Sequence, residues 1–357
     1  MKILMVSEGN ITYNGRLIEL YNAAKKVGDV TLVTIADSEN DRLDVNHHII
    51  KRQNNKFKKI IYLIKTFIIA QKSKFDILFI DNTEACMVGL AIIKLLNPKK
   101  VILDSRELYL KGEKMSWKMN VLCYFERKVI RLADIHICAN KYRADLMKEI
   151  YKLSKTPIVF ENIRMITEQP EVDNNYSKQL DKENVTRIIS TGGLSQGRAL
   201  PIIKAMSDLG DEFELYILGS GSELELNNAK KLINELKLKN VYLVGRTRRS
   251  VMRHFIQKCD IGVVYYGGKN TNEKLCASGK VYEYMQEYKP FIGPNLLPLN
   301  DLCDKYMVGE CDDSLSKAIL KVNRNYNAYQ KNVENFIEQI DVDMNNNQLS
   351  KNIKYYL

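Results

Sequence analysis

Arg187-Ile188-Ile189-Ser190-Thr191-Gly192-Gly193-Leu194-Ser195-Gln196-Gly197-Arg198 runs from an apolar strand-like segment through a glycine-rich turn to an arginine. A helix is predicted to begin just beyond it, near Leu200-Pro201, since proline is favoured in a first helical turn. What flanks this stretch decides the fold. Upstream, from about Met165 to Arg187, the chain is polar and aperiodic, with Pro170, Asp173, Asn174 and Asn175, which is a linker composition. Before that linker, strand-like runs at Lys2–Val6, Val30–Thr34, Ile77–Ile80, Val101–Asp104, Ile135–Ala139 and Ile158–Glu161 alternate with helical segments such as Arg16–Val27 and Trp117–Ala133. After it the same rhythm resumes at Glu214–Leu218, Val241–Val244, Ile261–Tyr265 and Pro290–Ile292. Strand, helix, strand at this spacing predicts βαβ units and parallel sheets. The fold class is therefore α/β, with two Rossmann-like doubly wound halves. Ligands of such sheets bind outside the carboxyl ends of the strands, and two such edges are expected to face each other across a cleft. The predicted domains are 1–165 and 187–330, joined by a linker at 166–186. A helical tail follows at 331–357, its return to the first domain left open.

The bulk composition agrees with this reading. A length of 357 residues suits two domains, and 45% hydrophobic residues suits a packed core. The most apolar helical stretch, Ile60 to Ala70, is shorter than the roughly 20 residues that span a bilayer and contains Lys65. Met1 to Glu8 reads as a strand rather than a secretory leader. The seven cysteines show no C-x-x-C pair and read as small buried hydrophobes in a reducing cytosol. The net charge of +11 favours anionic partners. No nucleic-acid signature accompanies it, so phosphate-bearing substrates and lipid headgroups come first.

Glycine clusters follow predicted strands at Gly9 and Gly15, at Gly192, Gly193 and Gly197, and at Gly219 and Gly221. Such glycines let a backbone approach a ligand, and a following helix offers N–H groups to a phosphate. Turns that merely need a positive φ would look the same. Arg198, just past its loop, can grip a diphosphate through forked hydrogen bonds, or be a solvated surface arginine. A second informative stretch is Asn272-Glu273-Lys274-Leu275-Cys276-Ala277-Ser278-Gly279-Lys280-Val281-Tyr282-Glu283-Tyr284-Met285, leading into Lys289-Pro290-Phe291-Ile292. If Gly279 opens a helix, Lys280 and Glu283 share one face at i and i+3, suited to a phosphate and the two hydroxyls of a ribose. An ordinary surface ion pair is the alternative.

These residues resemble the donor-binding signature of the retaining family 4 glycosyltransferases (glycosyl transferases group 1). In that family a lysine precedes an aromatic-Glu-Tyr-Met run, then a proline and a strand. The likeness covers most of the chain. Gly15, the Gly192–Arg198 loop, Gly219, Gly221, Asn240-Val241, Gly245, Ala133-Asp134, Asn140, Asn162 and Gly309 fall where that family has scaffold positions. The resemblance implies a GT-B fold and transfer of a sugar from a UDP- or GDP-linked donor to a glycan or lipid-linked acceptor, with retention, in bacterial surface polysaccharide or glycolipid assembly. It implies that Glu283 holds the ribose and that Arg198 and Lys280 hold or neutralise the diphosphate. Backbone N–H groups near Gly15, Ser278 and Gly279 would meet sugar or phosphates. Asp104, Arg106 and Glu107 fall on the acceptor side, with Arg106 where histidine is common. Two departures touch the sugar. The first glutamate of the family's pair falls on Leu275, with Glu273 out of register and Asn272 able to take part of its work; and the loop arginine falls on Gly193.

No metal or cofactor is expected. No D-x-D stands at a strand end, and His47, His48, His136 and His254 lack ligand spacing, with His47-His48 read as a surface pair. The stretch Lys51-Arg52, Lys56-Phe57-Lys58-Lys59, Ile60–Phe67 with Lys65, then Lys72 and Lys74, reads as a basic amphipathic helix. It would attach a cytoplasmic protein to the inner face of the cell membrane, or pack on the sheet with its lysines outward. Two rivals remain: a nucleotide-sugar 2-epimerase on the same fold, and a non-catalytic nucleotide-sugar-binding partner subunit.

Overall fold

The computed structural model describes residues 1–11, 14–36, 42–51, 58–194 and 197–357, the Lys58 side chain excepted. Ser195 and Gln196 of the glycine loop, and Arg52, Lys56, Phe57 and the Lys58 side chain of the basic stretch, lie outside the described residues.

The first unit opens with β1 (Lys2–Ser7), α1 (Gly15–Lys25), β2 (Asp29–Ala36), β3 (His47–Lys51) and α2 (Lys58–Ser73). It continues through β4 (Ile77–Asp81), α3 (Asn82–Leu96), β5 (Lys100–Ser105), α4 (Trp117–Ile130), β6 (Ile135–Cys138), α5 (Lys141–Tyr151) and β7 (Ile158–Val159). The second unit contains α6 (Ser177–Leu180), β8 (Thr186–Ser190), α7 (Ala199–Ala205), β9 (Phe213–Leu218), α8 (Glu223–Glu235), β10 (Val241–Gly245) and α9 (Arg249–Lys258). Then come β11 (Ile261–Val263), α10 (Thr271–Lys274), α11 (Lys280–Met285), β12 (Phe291–Gly293), α12 (Leu297–Tyr306), β13 (Gly309–Cys311), α13 (Leu315–Arg324) and α14 (Tyr326–Ile337). The chain closes on α15 (Val342–Tyr356).

Both sheets are parallel and doubly wound. The first has the order β3-β2-β1-β4-β5-β6-β7, the second β10-β9-β8-β11-β12-β13. Strand order therefore reverses between β1 and β4 and between β8 and β11, which in such sheets is where ligands bind. Apolar runs form these strands because helices cover both faces, giving each sheet two cores.

The unit boundary falls at Asn162/Ile163. The segment 166–186, expected as a linker, packs into the second unit instead. Ile166 and Leu180 are buried in its core and Tyr176 meets the Tyr216, Tyr242 and Phe255 rings edge-on. Residues 341–357 belong to the first unit, whereas 331–340 stay with the second. Leu349 and Ile353 of α15 enter the first unit's core against α1, and Ser350 Oγ donates to the Ala23 carbonyl at 2.8 Å.

One expectation fails on which face a side chain takes. His47 is not a surface residue. Strand alternation turns it inward, where Nε2 meets Thr34 Oγ1 at 2.7 Å and Nδ1 accepts from the Leu43 N–H at 3.1 Å. Helix α2 buries Tyr62 and Ala70 but leaves Ile60, Ile64 and Ile68, one stripe at four-residue spacing, exposed. Six of the seven cysteines are buried.

Candidate functional site

Within the second unit, most of the residues singled out above meet at the β8/β11 reversal point. Helix α11 begins after Gly279, as expected, and its Tyr284 ties the arrangement together. The Tyr284 hydroxyl donates to the Val263 carbonyl at 3.1 Å and accepts from the Thr191 N–H at 3.0 Å, so one buried phenol links α11, β11 and the glycine loop. A side chain on Gly262 would collide with that ring. Lys280, one turn earlier, runs beside the loop, with its Cε 3.7 Å from where a Cβ on Gly192 would stand. Glu283 is buried and forms an ion pair with Arg164, Nε to Oε1 at 3.4 Å. Ser278 is buried too, and its hydroxyl has no hydrogen-bond partner. Arg198 stands at the N-cap position of α7 and lies over the Tyr266 ring, 4.9 Å from its centroid.

Two of the glycines, Gly193 and Gly219, have a use of their own in the fold. Gly193 (φ +68°) and Gly219 (φ +114°) cross so closely that a Cβ on either would come within 2.7 Å of the other loop's backbone. Their N–H groups are engaged: Gly193 donates to Leu218 at 3.0 Å and Gly219 to Gly245 at 2.7 Å, while Leu194 donates to Ser220 at 3.2 Å. These two amides are not offered to a phosphate; they lock two loops together, and only glycine permits that approach. The start of α8, after Gly221, is likewise closed by its own residues. Ser222 accepts from the Glu225 N–H, Glu225 accepts from the Ser222 N–H, and Glu223 and Glu225 bring negative charge to the first turn. What the crossing leaves is a cavity of about 200 Å³ lined by Leu194, Ile217, Leu226, Leu243, Gly245 and Arg246, with Gly219, Ser220 and Gly221 at its rim. A Cβ on Gly197 (φ +70°) would meet Leu200 Cδ1 at 4.0 Å.

The remaining predicted residues, Gly15, Asp104, Arg106, Glu107 and Asn272, belong to the first unit. Asp104 is fully buried and is not available to an acceptor. Arg16 Nε and Nη2 donate to its Oδ2 and Oδ1 at 3.0 and 2.7 Å. Arg16 also donates to the Phe160 carbonyl at 2.7 Å and lies over that ring. Gly15 is the first residue of α1, following the capping Asn14, whose Oδ1 also accepts from Arg106 at 2.8 Å. Burial opposes the Arg106 charge, but Asp81, Asp104, Glu107 and Glu84 around it raise its pKa overall. Burial lifts the Asp81 carboxyl to about 6, with Arg106 opposing and Asp104 adding to the rise. Glu126 of α4, beside Thr83 and Ser105, is pushed by burial to about 8. Partial burial raises the half-buried Tyr109 phenol, and Glu107 raises it further. Asn272 is engaged through both its amide oxygen and its amide nitrogen. Its Oδ1 accepts from Leu108 N at 3.1 Å and Arg143 Nη2 at 2.9 Å, and its Nδ2 donates to Tyr109 at 3.3 Å. This removes it as a stand-in for the missing glutamate. Glu273, next in sequence, is buried in the second unit and accepts from the Lys269 N–H at 3.0 Å.

Sequence reasoning missed Arg16, Arg164, Tyr266 and Glu126. The first two carry no local signal, since their partners are 88 and 119 residues away (104 minus 16, 283 minus 164). Tyr266 could have been found: it follows the β11 run at the strand's carboxyl end. Among the described residues, no group of three His, Cys, Asp or Glu side chains could hold a metal ion, and no helix is long and apolar enough to cross a membrane.

No protein-family model and no curated protein matches the sequence. Solved structures do. Sucrose-phosphate synthase from Thermosynechococcus elongatus superposes with a TM-score of 0.80 over 99% of this chain and 98% of its own, at 13% identity. Anabaena HepE, in complex with UDP and glucose, gives 0.77 over 99% and 100%, at 15% identity. WaaG, a glycosyltransferase involved in lipopolysaccharide biosynthesis, gives 0.69 over 98% of both chains at 10% identity. Likeness at these identities establishes architecture, and the chain has the GT-B fold: two parallel-sheet, Rossmann-like domains, of seven and six strands.

Proposed function

We propose that the chain is a retaining glycosyltransferase that moves a sugar from a UDP-linked donor to a glycan or lipid-linked acceptor in bacterial surface polysaccharide or glycolipid assembly. One observation carries the reading: Lys280, the unpartnered Ser278 hydroxyl and buried Glu283 are grouped on and just before one helix at the β8/β11 reversal point, beside the crossed glycine loops. A buried carboxylate suits two ribose hydroxyls, and a lysine one turn away suits the diphosphate. The cavity beyond the glycine crossing takes the base. HepE is bound to UDP in its crystal structure, which favours uracil over guanine.

In the reaction the bond from the sugar's anomeric carbon to the diphosphate oxygen breaks, and negative charge grows on that oxygen. Arg198 and Lys280 answer that charge, Arg198 from a position held by stacking on Tyr266. The reading routes no step through a metal. Arg106, held by Asn14 and surrounded by carboxylates, remains the acceptor-side candidate, with Glu107 beside it.

Calorimetry with UDP tests the reading. Wild-type protein should bind UDP, and Glu283→Ala should weaken it by about 1–3 kcal/mol, the loss expected for hydrogen bonds to a charged group. If neither UDP nor GDP binds, the donor site is misassigned; if Glu283→Ala binds UDP as wild type does, Glu283 does not hold the ribose.

A further inference from the structure

We infer that Arg164 is a positioning residue for the donor: its charge, set against Oε1, restrains how the Glu283 carboxylate turns, and through that how strictly the site demands a ribose 2′-hydroxyl. The inference rests on reading Glu283 as the ribose ligand.

Arg164 belongs to a segment fixed with unusual thoroughness against the donor helix. Gln286 accepts from the Ile166 N–H at 2.6 Å and donates to the Ile166 carbonyl at 2.7 Å, as a neighbouring β-strand would. Arg249 donates to the Met165 carbonyl at 3.0 Å, and the Ile166 side chain is buried in the core. Gln286 and Glu283 stand three residues apart, on one face of the same helical turn. The face that clamps the backbone of Ile166 therefore also presents its carboxylate to Arg164.

The contact between them has the features of orientation rather than of a closed salt bridge. Glu283 is 4% exposed and Arg164 is 31% exposed, so the carboxylate is sunk and the cation reaches it from the open side. At 3.4 Å, Nε is close enough to neutralise the carboxylate, yet this buried N–H has no hydrogen-bond partner. Glu283 keeps its lone pairs for other donors. Ribose hydroxyls are neutral and cannot compensate a buried charge, so a carboxylate that receives both of them needs a cation beside it. The guanidinium stands against Oε1, so its charge holds that oxygen and restrains the turn of the carboxylate. With the carboxylate so held, both oxygens face the 2′- and 3′-hydroxyls together. With it free, the carboxylate can still accept one hydroxyl, and the loss falls on the second.

The test compares UDP with 2′-deoxy-UDP by calorimetry on the full chain, for wild type, Arg164→Met, Arg164→Lys and Glu283→Ala. Wild type should prefer UDP by about tenfold or more, since a hydrogen bond to a charged group is involved. Arg164→Met should bring that ratio to within about threefold of unity, and Arg164→Lys should hold an intermediate value. A merely structural arginine would change both affinities alike and leave the ratio alone. Should Arg164→Met not fold, as judged by its melting transition, the Lys variant decides, and a wild-type ratio there overturns the proposal. If Glu283→Ala collapses the ratio while Arg164→Met preserves it, the ribose reading stands and the role of Arg164 falls. If Glu283→Ala preserves the ratio, or wild type shows no preference, both fall.

Discussion

Replacing Asp104 separates a structural carboxylate from a substrate ligand. In the folded first unit its two oxygens receive Nε and Nη2 of Arg16 at 3.0 and 2.7 Å, and both side chains are almost entirely shielded from water. Asp104→Ala would leave the guanidinium with the Phe160 carbonyl and ring and the more distant charge of Asp81. A buried charge stripped of its partner destabilises by about 3–5 kcal/mol, a large share of a typical domain's 5–15 kcal/mol. Removing both charges in Arg16→Met/Asp104→Leu should recover most of that loss, because no uncompensated ion remains. Urea unfolding followed by circular dichroism reads the stability. Hydrogen exchange in β5 and β6 assigns the loss to the first unit, which matters because a two-unit chain need not unfold in one step. If Asp104→Ala abolished sugar transfer while exchange in β5 stayed at its wild-type rate, the ion pair would be dispensable and Asp104 would touch the acceptor after all.

Three further outcomes follow from the geometry. Glu126 is held at about 8, above its ordinary 4.5, so the folded state binds a proton that the unfolded state releases. The stability of the first unit should therefore fall as pH rises from about 4.5 to 8, by roughly 3 kcal/mol at pH 7. Glu126→Gln should flatten this slope in urea titrations and be the more stable protein at pH 8; an unchanged slope would show that Glu126 ionises freely. Arg198→Ala should lower kcat by about 10²–10³-fold with a much smaller rise in donor KM, and Arg198→Lys should regain part of the rate. An effect confined to KM would make Arg198 a binding residue. Finally, the protein should sediment with anionic vesicles at low salt and release as salt rises. Trp117 (71% exposed), Tyr124 and the Ile60, Ile64, Ile68 stripe should contribute, with Lys118 and Lys128 lying over the two aromatic rings; equal binding to neutral vesicles would remove the electrostatic part.

The central strands were legible because helices cover both faces of each sheet, so their sequences are unbroken apolar runs. Of the edge strands, β7 and β10 were legible as apolar runs, whereas β3 and β13 were not. Two histidines open β3, and β13 is three residues long with a glutamate in the middle. The positions of the glycines were legible but their purpose was not, since a glycine that meets a phosphate and one that meets another glycine leave the same mark in one dimension. Lys280 and Glu283 could be placed on one helical turn by counting. Whether Asp104 faces a ligand or a buried guanidinium depends on a residue 88 positions away, and no local pattern reports that. Asn272 shows the same limit: Leu108, Tyr109 and Arg143 hold it, all more than 120 residues upstream.

The placement of α15 bears on how the chain is made. The second unit is almost continuous in sequence, from Ile163 to Ile340, and can fold as it leaves the ribosome. The first unit is synthesised earlier yet cannot finish, because Leu349 and Ile353 complete its core against α1. At about 5–20 residues per second, the apolar flank of α1 waits on the order of 16–65 s for that cover. The order of completion thus inverts the order of synthesis.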